Sequence, residues 1–229
     1  MPTRCPMTSY LPIQGTHGTY GDGPQWWRPE SDLAKFLLAH ELKILKPEDP
    51  FIWSTDINGL GFLTKMFGSN RKHHNDWVAG GAALRYYLDR PCKKCAWPQE
   101  MIKDRNLIAH SHGLQVVLYA CAQGLRVRRL ISVGSPIRAD MFGGPDSIAK
   151  RALPNIDAWL HIHDTTNMDI MQRLGEVGDG KIEWRGERKV PIGTVKDDGI
   201  AGIGHSGVLC DPRFFGLWES HGWINFLKV

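Results

Sequence analysis

Long apolar runs are missing from this sequence of 229 residues. No stretch approaches the length needed to span a bilayer, and the opening residues MPTRCPMTSYLPIQG lack the continuous apolar region of a secretory signal. We therefore expect no stable membrane insertion and a cytoplasmic location. Cysteine is also scarce, and its five residues are an odd number, which favours reduced thiols over a disulfide framework.

Runs of one charge are missing as well. Lys and Arg number 28 against 24 Asp and Glu, and the basic residues are scattered, so we expect no nucleic-acid partner. Cys92 and Cys95 form a C-x-x-C pair that could hold half a zinc site with His73 or His74, but no second C-x-x-C follows. The sequence thus predicts no metal site and no cofactor.

Short apolar runs alternate with helical patterns along the chain. This order is typical of a parallel sheet flanked by helices, and the length suits a single domain over residues 1–229. The strand candidates, in chain order, are LPIQ at 11–14, FIW at 51–53, LIA at 107–109, RVRRLISVGSP at 126–136, AWLHIH at 158–163 and, more weakly, KVPIGT at 189–194.

Helices are predicted between these strands from apolar residues at helical spacing. Ser31 is a candidate cap for a helix with Leu33, Phe36, Leu37 and Ile44 on one face. A second helix begins near Asp76, where Gly80 and Gly81 would let it lie close to the sheet. Further helices are predicted over 114–121, around Ile148 and over the closing segment DPRFFGLWESHGWINFL.

The most informative segment is NLIAHSHGLQVVLYAC, in which a buried strand and an apolar helix are only four residues apart. Ala109 and Gly113 flank Ser111, so the segment matches G-x-S-x-G with alanine in place of the first glycine. A turn this tight projects the hydroxyl of Ser111 above the sheet as a nucleophile. It also makes the N–H of His112 the first donor to an oxyanion. The alternative is an ordinary turn with a capping serine.

A serine nucleophile needs a histidine base, and a carboxylate must orient that histidine. His205, in the late glycine-rich loop GIGHSGVL, is the predicted base, and His221 competes from within an apolar helical pattern. Two carboxylates follow the AWLHIH strand. Asp169 is the preferred acid because Ile170 and Met171 can anchor the next segment. Asp164, at the strand end, is the alternative acid, or else a turn or helix cap.

The second oxyanion donor should come from a glycine-rich loop after an early strand. His17, Gly18 and Thr19 follow LPIQ, which nominates the N–H of Thr19. His17, Gly18 and Trp26 are candidate substrate-binding residues. Trp26 and Trp27 could line a groove, although paired tryptophans more often anchor a loop by burial.

His110 and His112 also form an H-x-H pair of the kind that binds zinc in metallohydrolases. Such sites usually carry an Asp-His immediately afterwards, and here Gly113, Leu114 and Gln115 follow. Zinc binding by His110 and His112 is therefore kept only as a minor alternative.

Six segments in this order resemble the α/β-hydrolase superfamily, especially compact bacterial esterases and lipases. They are HGTYGDGPQWWRP at 17–29, FIWS at 51–54, AHSHG at 109–113, VGSP at 133–136, DIMQRLG at 169–175 and GHSG at 204–207. The resemblance implies a mostly parallel sheet in a minimal version of the fold, without a large cap domain. It departs from the family pattern at Ala109 and in a longer acid loop.

The resemblance also implies a triad of Ser111, Asp169 and His205, with oxyanion amides from Thr19 and His112. The expected activity is hydrolysis of a small-molecule or lipid carboxylic ester through an acyl-enzyme intermediate. A thioesterase or amidase would use the same residues. A non-catalytic hydrolase fold that binds a ligand or protein partner is the alternative from another class.

Overall fold

The computed structural model describes residues 11–18, 25–28, 30–44, 70–89, 105–137, 141, 146–166, 176–178, 181–183 and 195–229. Two of the predicted strands, FIW and KVPIGT, lie outside these residues. Within the described part of the chain, no helix is both long and apolar enough to cross a membrane.

In the part of the chain that the structure describes, six parallel strands form the central sheet, in the spatial order β2-β1-β3-β4-β5-β8. Their bounds are β1 Leu11–Thr16, β2 Leu42–Ile44, β3 Asn106–His110, β4 Val127–Val133, β5 Ile156–Asp164 and β8 Lys196–Ile200. A separate antiparallel pair consists of β6 Glu176–Gly178 and β7 Lys181–Glu183. The predicted parallel sheet is confirmed.

Helices cover both faces of this sheet. They are α1 Asp32–Ala39, α2 Asn70–Asp89, α3 Gly113–Ala122, α4 Ile148–Ala152, α5 Gly207–Cys210, α6 Gly216–Ser220 and α7 Trp223–Lys228. Core residues of α2, α3 and α4 pack on one face, and those of α1, α5, α6 and α7 pack on the other. Strand residues alternate between the two cores, as Leu107 and Ile108 do, which explains why these strands read as continuous apolar runs.

The connection between β4 and β5, residues 134–155, contains α4 and the 3₁₀ turn Leu153–Asn155. This stretch is too short for a large cap domain, as the sequence predicted. Ser31 caps α1 as expected, since its side chain accepts a hydrogen bond from the N–H of Ala34.

The prediction that Ile44 shares a helical face with Leu33 is wrong. Helix α1 ends at Ala39, and Glu41 takes a left-handed conformation with φ 60° that turns the chain into β2. Ile44 therefore lies at the end of β2, paired with Ile13. The closing segment is likewise divided, because Gly222 with φ 73° separates α6 from α7.

The glycines of α2 bring it against a helix rather than against the sheet. A Cβ at Gly81 would lie 2.6 Å from the Cβ of Tyr119 and 2.9 Å from the backbone N of Ala120, both in α3. Gly81 thus allows a close approach, but to α3 and not, as the sequence had predicted for Gly80 and Gly81, to the sheet. This packing fixes α3, the helix that begins directly after Ser111 and His112.

Candidate active site

Ser111 stands between the last residue of β3 and the first turn of α3. Its φ is 52°, a left-handed conformation that it shares, among the described non-glycine residues, only with Glu41. Such a conformation costs a residue with a Cβ on the order of 1–3 kcal/mol. The N–H of Ser111 donates to the carbonyl of Val133, at 3.0 Å, which fastens the turn to the end of β4.

Two glycines allow the chain to close tightly around this turn. A Cβ at Gly113 would lie 2.5 Å from the carbonyl oxygen of Thr16 and 2.6 Å from that of His17, so no larger residue fits there. A Cβ at Gly18 would lie 2.8 Å from the Cβ of Ser111 and 3.3 Å from its Oγ. The His17-Gly18 loop predicted to border the nucleophile therefore does lie beside Ser111.

His205 lies against Gly134, the residue that follows β4. A Cβ at Gly134, where φ is 56°, would lie 2.3 Å from the carbonyl oxygen of His205 and 3.2 Å from its Nδ1. The ring of His205 packs against that of His110, with centroids 4.7 Å apart. The predicted base thus contacts the residue that precedes Ser111 in the chain and the glycine that follows Val133.

His110 holds the backbone of His205 in place. Its Nε2 lies 3.1 Å from the carbonyl oxygen of His205, and since a carbonyl only accepts, Nε2 carries the proton and donates. Burial, together with the nearby imidazole of His205, lowers the pKa of His110 to about 3. Sequence reasoning weighed His110 only as a zinc ligand, and gave no role to Gly134 in VGSP.

A consequence is expected for stability in mild acid. The pKa of His110 is lowered from 6.5 to about 3, so below pH 6.5 the unfolded chain takes up a proton that the folded chain refuses. This contribution to stability is complete above pH 6.5 and is lost as pH falls toward 3. The free energy of unfolding of the wild type should fall between pH 7.5 and 5, and His110 should account for about 1–2 kcal/mol of that fall. In His110→Gln, which keeps an N–H donor, the fall should be smaller by this amount.

Denaturant unfolding at the two pH values measures this effect. His110→Phe is the matched control because it cannot titrate but also cannot donate. It should lower stability at both pH values and yet show the same reduced pH dependence as His110→Gln. A wild-type pH dependence in both variants would contradict the neutral state of His110.

Asp164 is fully buried at the end of β5 and reaches the loop of His205. One carboxylate oxygen accepts from the N–H and hydroxyl of Thr166, and the other from the N–H of Gly204. Burial alone would raise the pKa of Asp164, but these hydrogen bonds and one from the N–H of Gly202 hold it below its usual value. The ionised carboxylate therefore fastens the loop that carries His205 to β5.

Two further residues of the predicted site, His112 and His17, each pack against a tryptophan ring. His112 stacks on Trp77 of α2 with ring centroids 5.4 Å apart, and His17 packs on Trp27 at 5.1 Å. Trp26 is buried, and its ring would lie 3.2 Å from a Cβ at Gly15 of β1, which favours the anchoring alternative for the tryptophan pair.

Two members of the predicted site, Thr19 and Asp169, lie outside the described residues. His221, the competing base, follows α6 and has its Nδ1 3.1 Å from a carboxylate oxygen of Asp198. Ser111, His112, His17, Gly18 and His205 thus gather at the carboxyl ends of β1, β3 and β4.

No protein-family model and no curated protein match this sequence. Solved structures do match it. A predicted CIB-like hydrolase from Thermoplasma acidophilum has a TM-score of 0.54 and 15% identity over 96% of this chain and 88% of that chain. An esterase from a Rhodococcus species has a TM-score of 0.49 and 15% identity over 96% and 92%. The chain has the α/β-hydrolase fold.

Proposed function

We propose that this chain is a serine hydrolase that cleaves carboxylic esters, with Ser111 as nucleophile and His205 as general base. One observation carries the proposal: a serine holds a strained left-handed conformation, φ 52°, at the junction of β3 and α3, and the residue before it, His110, packs against the ring of the loop histidine His205. Strain of this kind gathers at functional sites, because a turn with no chemical task could use glycine and avoid it.

The proposed reaction proceeds in two acyl transfers. His205 accepts the proton of the Ser111 hydroxyl as its oxygen attacks the ester carbonyl. The protonated imidazole then gives that proton to the leaving alcohol, and an acyl-serine remains. His205 next takes a proton from water as it attacks the acyl-serine, and returns that proton to the serine oxygen as the carboxylic acid leaves. One ester and one water become one alcohol and one acid.

Backbone amides would stabilise the charge that develops on the carbonyl oxygen. The N–H of His112 follows Ser111 at the start of α3, where the helix dipole favours a negative charge. We assign the second donor to Thr19. Gly18, its neighbour, supports this assignment because it lies directly against Ser111.

We assign the orienting carboxylate to Asp169 and a positioning role to Asp164. One oxygen of Asp164 accepts hydrogen bonds from Thr166 and the other accepts one from Gly204, which supports its role of holding the loop that carries His205. A triad acid must instead accept from the His205 ring. We assign that role to Asp169 because Ile170 and Met171 can anchor the segment that follows it.

The groups beside the nucleophile suit an uncharged acyl group. His110 is neutral at ordinary pH, and Trp77 stacks on His112. Gly18 borders Ser111, and we propose that His17 and Gly18 contact the substrate, whereas buried Trp26 anchors their loop. An ester whose acyl part is apolar would meet aromatic rings and glycine backbone in such a site.

Labelling with a fluorophosphonate tests the nucleophile and base together, because this probe reacts covalently with an activated serine. The wild type should be labelled, and Ser111→Ala should not be. His205→Ala should slow labelling by about 10²- to 10⁴-fold, the usual contribution of a general base. Hydrolysis of matched ester, thioester and amide substrates then tests the preference for esters.

Two glycine variants form a matched pair that tests whether the position of His205 matters for labelling. Gly134→Ala puts a Cβ against the backbone of His205, so it should suppress labelling. Gly124→Ala, at φ 99° with open space around it, carries similar backbone strain without that contact and should be labelled normally. A folded wild type that is not labelled, or labelling that persists in Ser111→Ala, would refute the proposal.

A further inference from the structure

A second H-x-H motif lies in the sheet, away from the turn at Ser111. His161 and His163 are two residues apart on β5 and so point to the same face. Asp197 of the neighbouring strand β8 pairs directly with His161, which puts its side chain on that face as well. Trp159, two residues earlier on β5, belongs to the core packed by α2 and α3, so this is the face that those helices cover.

The three side chains converge. One ligand atom from each of His161, His163 and Asp197 lies within 4.8 Å of the other two. The two imidazole rings are stacked, 5.6 Å apart and 11° from parallel. Both histidines are buried, whereas Asp197 is partly exposed. Two imidazoles and one carboxylate are a ligand set that suits Zn²⁺.

A further contact orients the first ligand. The Nδ1 of His161 lies 2.8 Å from the hydroxyl of Ser132, and the indole N–H of Trp159 donates to that same hydroxyl oxygen. When Ser132 accepts both hydrogen bonds, the proton of His161 is on Nδ1 and Nε2 presents a lone pair. Metal-binding histidines are oriented in this way, by a hydrogen bond from the nitrogen that does not bind.

Glycine on the edge strand provides room for the second ligand. Gly199 pairs with His163, and a Cβ there would lie 2.8 Å from Nε2 and 3.0 Å from Cε1 of that ring. Any larger residue would displace the imidazole. Ligands of a tetrahedral zinc ion lie roughly 3.3 Å apart, so the cluster needs to contract by only about 1.5 Å.

We propose that His161, His163 and Asp197 bind one zinc-class divalent cation, with Ser132 as the outer partner of His161. This departs from the sequence expectation of no metal, which considered H-x-H only at His110 and His112. The cation would link strand β8 to β5. The inference does not rest on the proposed ester hydrolysis.

Zinc binding is best tested in the full chain carrying Cys92→Ser and Cys95→Ser, which removes the competing thiol pair. After chelator treatment, titration with Zn²⁺ alone should give one site per chain and an increase in melting temperature. Asp197→Asn, at the partly exposed ligand, and His163→Gln should each weaken the affinity by more than about 10- to 100-fold, the loss that follows removal of only an outer partner of a ligand. Co²⁺ in the same site should show the visible absorption of a low-coordinate complex.

His221→Gln is the matched control, because that histidine also faces a carboxylate of β8, Asp198, on the protein surface. It should leave the affinity unchanged. Circular dichroism verifies that each variant is folded. The proposal fails if the folded chain binds no zinc, or if Asp197→Asn binds it as tightly as the parent. Ester hydrolysis by the chelated protein is measured in parallel, so the two proposals can fail separately.

Discussion

Replacing Ser111 by glycine is expected to abolish ester hydrolysis and, at the same time, to raise the free energy of unfolding by about 1 kcal/mol. The activity is lost with the nucleophile. The stability is gained because glycine adopts φ 52° without strain, which outweighs the entropy that an added glycine gives to the unfolded chain. The substitution thus separates the chemical use of this residue from its structural cost.

Two variants isolate the source of the gain. Ser111→Ala also removes the hydroxyl but retains the Cβ, so it should be inactive with nearly wild-type stability. Glu41→Gly changes the other described non-glycine residue with positive φ, 60°, on the exposed turn after α1. It should be stabilised to a similar extent and remain fully active.

Denaturant unfolding and initial rates of ester hydrolysis measure both effects. We expect turnover by either Ser111 variant to fall by about 10⁴-fold or more. Retained hydrolysis in Ser111→Gly would exclude Ser111 as the nucleophile. A destabilised Ser111→Gly, with a stabilised Glu41→Gly, would show that the turn is not strained in the way we propose.

The second large effect separates the two aspartates. Asp169→Asn should lower kcat by about 10³- to 10⁴-fold with little loss of stability, because an amide cannot hold His205 in the tautomer that accepts the serine proton. Asp164→Asn should lower kcat by only about 10-fold but lower the free energy of unfolding by about 1–3 kcal/mol. Its amide group would face an N–H or hydroxyl donor from Thr166 or Gly204.

The two isosteric substitutions serve as controls for each other, since both remove one charge. Each is assayed for kcat and for unfolding at neutral pH. A larger loss of kcat in Asp164→Asn than in Asp169→Asn would reverse the assignment and make Asp164 the triad acid. Equal losses of stability would refute the positioning role of Asp164.

The sequence around Ser111 predicted the turn well because most of the residues that require the turn are neighbours in the chain. An apolar strand, four small or polar residues and an apolar helix leave few ways to connect, and Gly113 is required by the contact with β1. By contrast, the left-handed residue Glu41 interrupts a helical spacing that continues in the sequence to Ile44. Nothing in that spacing indicates where the chain turns.

Long-range contacts were the part that the sequence did not reveal. Asp164 was considered a triad acid or a cap, but it binds the N–H of Gly204, 40 residues later in the chain. His161 and Asp197 meet only because β5 and β8 are neighbours. The strand β8, KDDGI, also lacks the apolar alternation by which strands are recognised, because it lies at the edge of the sheet.

Among the described strands, the two outermost ones of the central sheet also bear on how this protein behaves at high concentration. One edge, β2, is only three residues long, and the other, β8, begins with Lys196, Asp197 and Asp198. The carboxylate of Asp198 also accepts a hydrogen bond from the indole N–H of Trp223. Short or charged margins are poor templates for a strand from another molecule, so the sheet resists extension into aggregates.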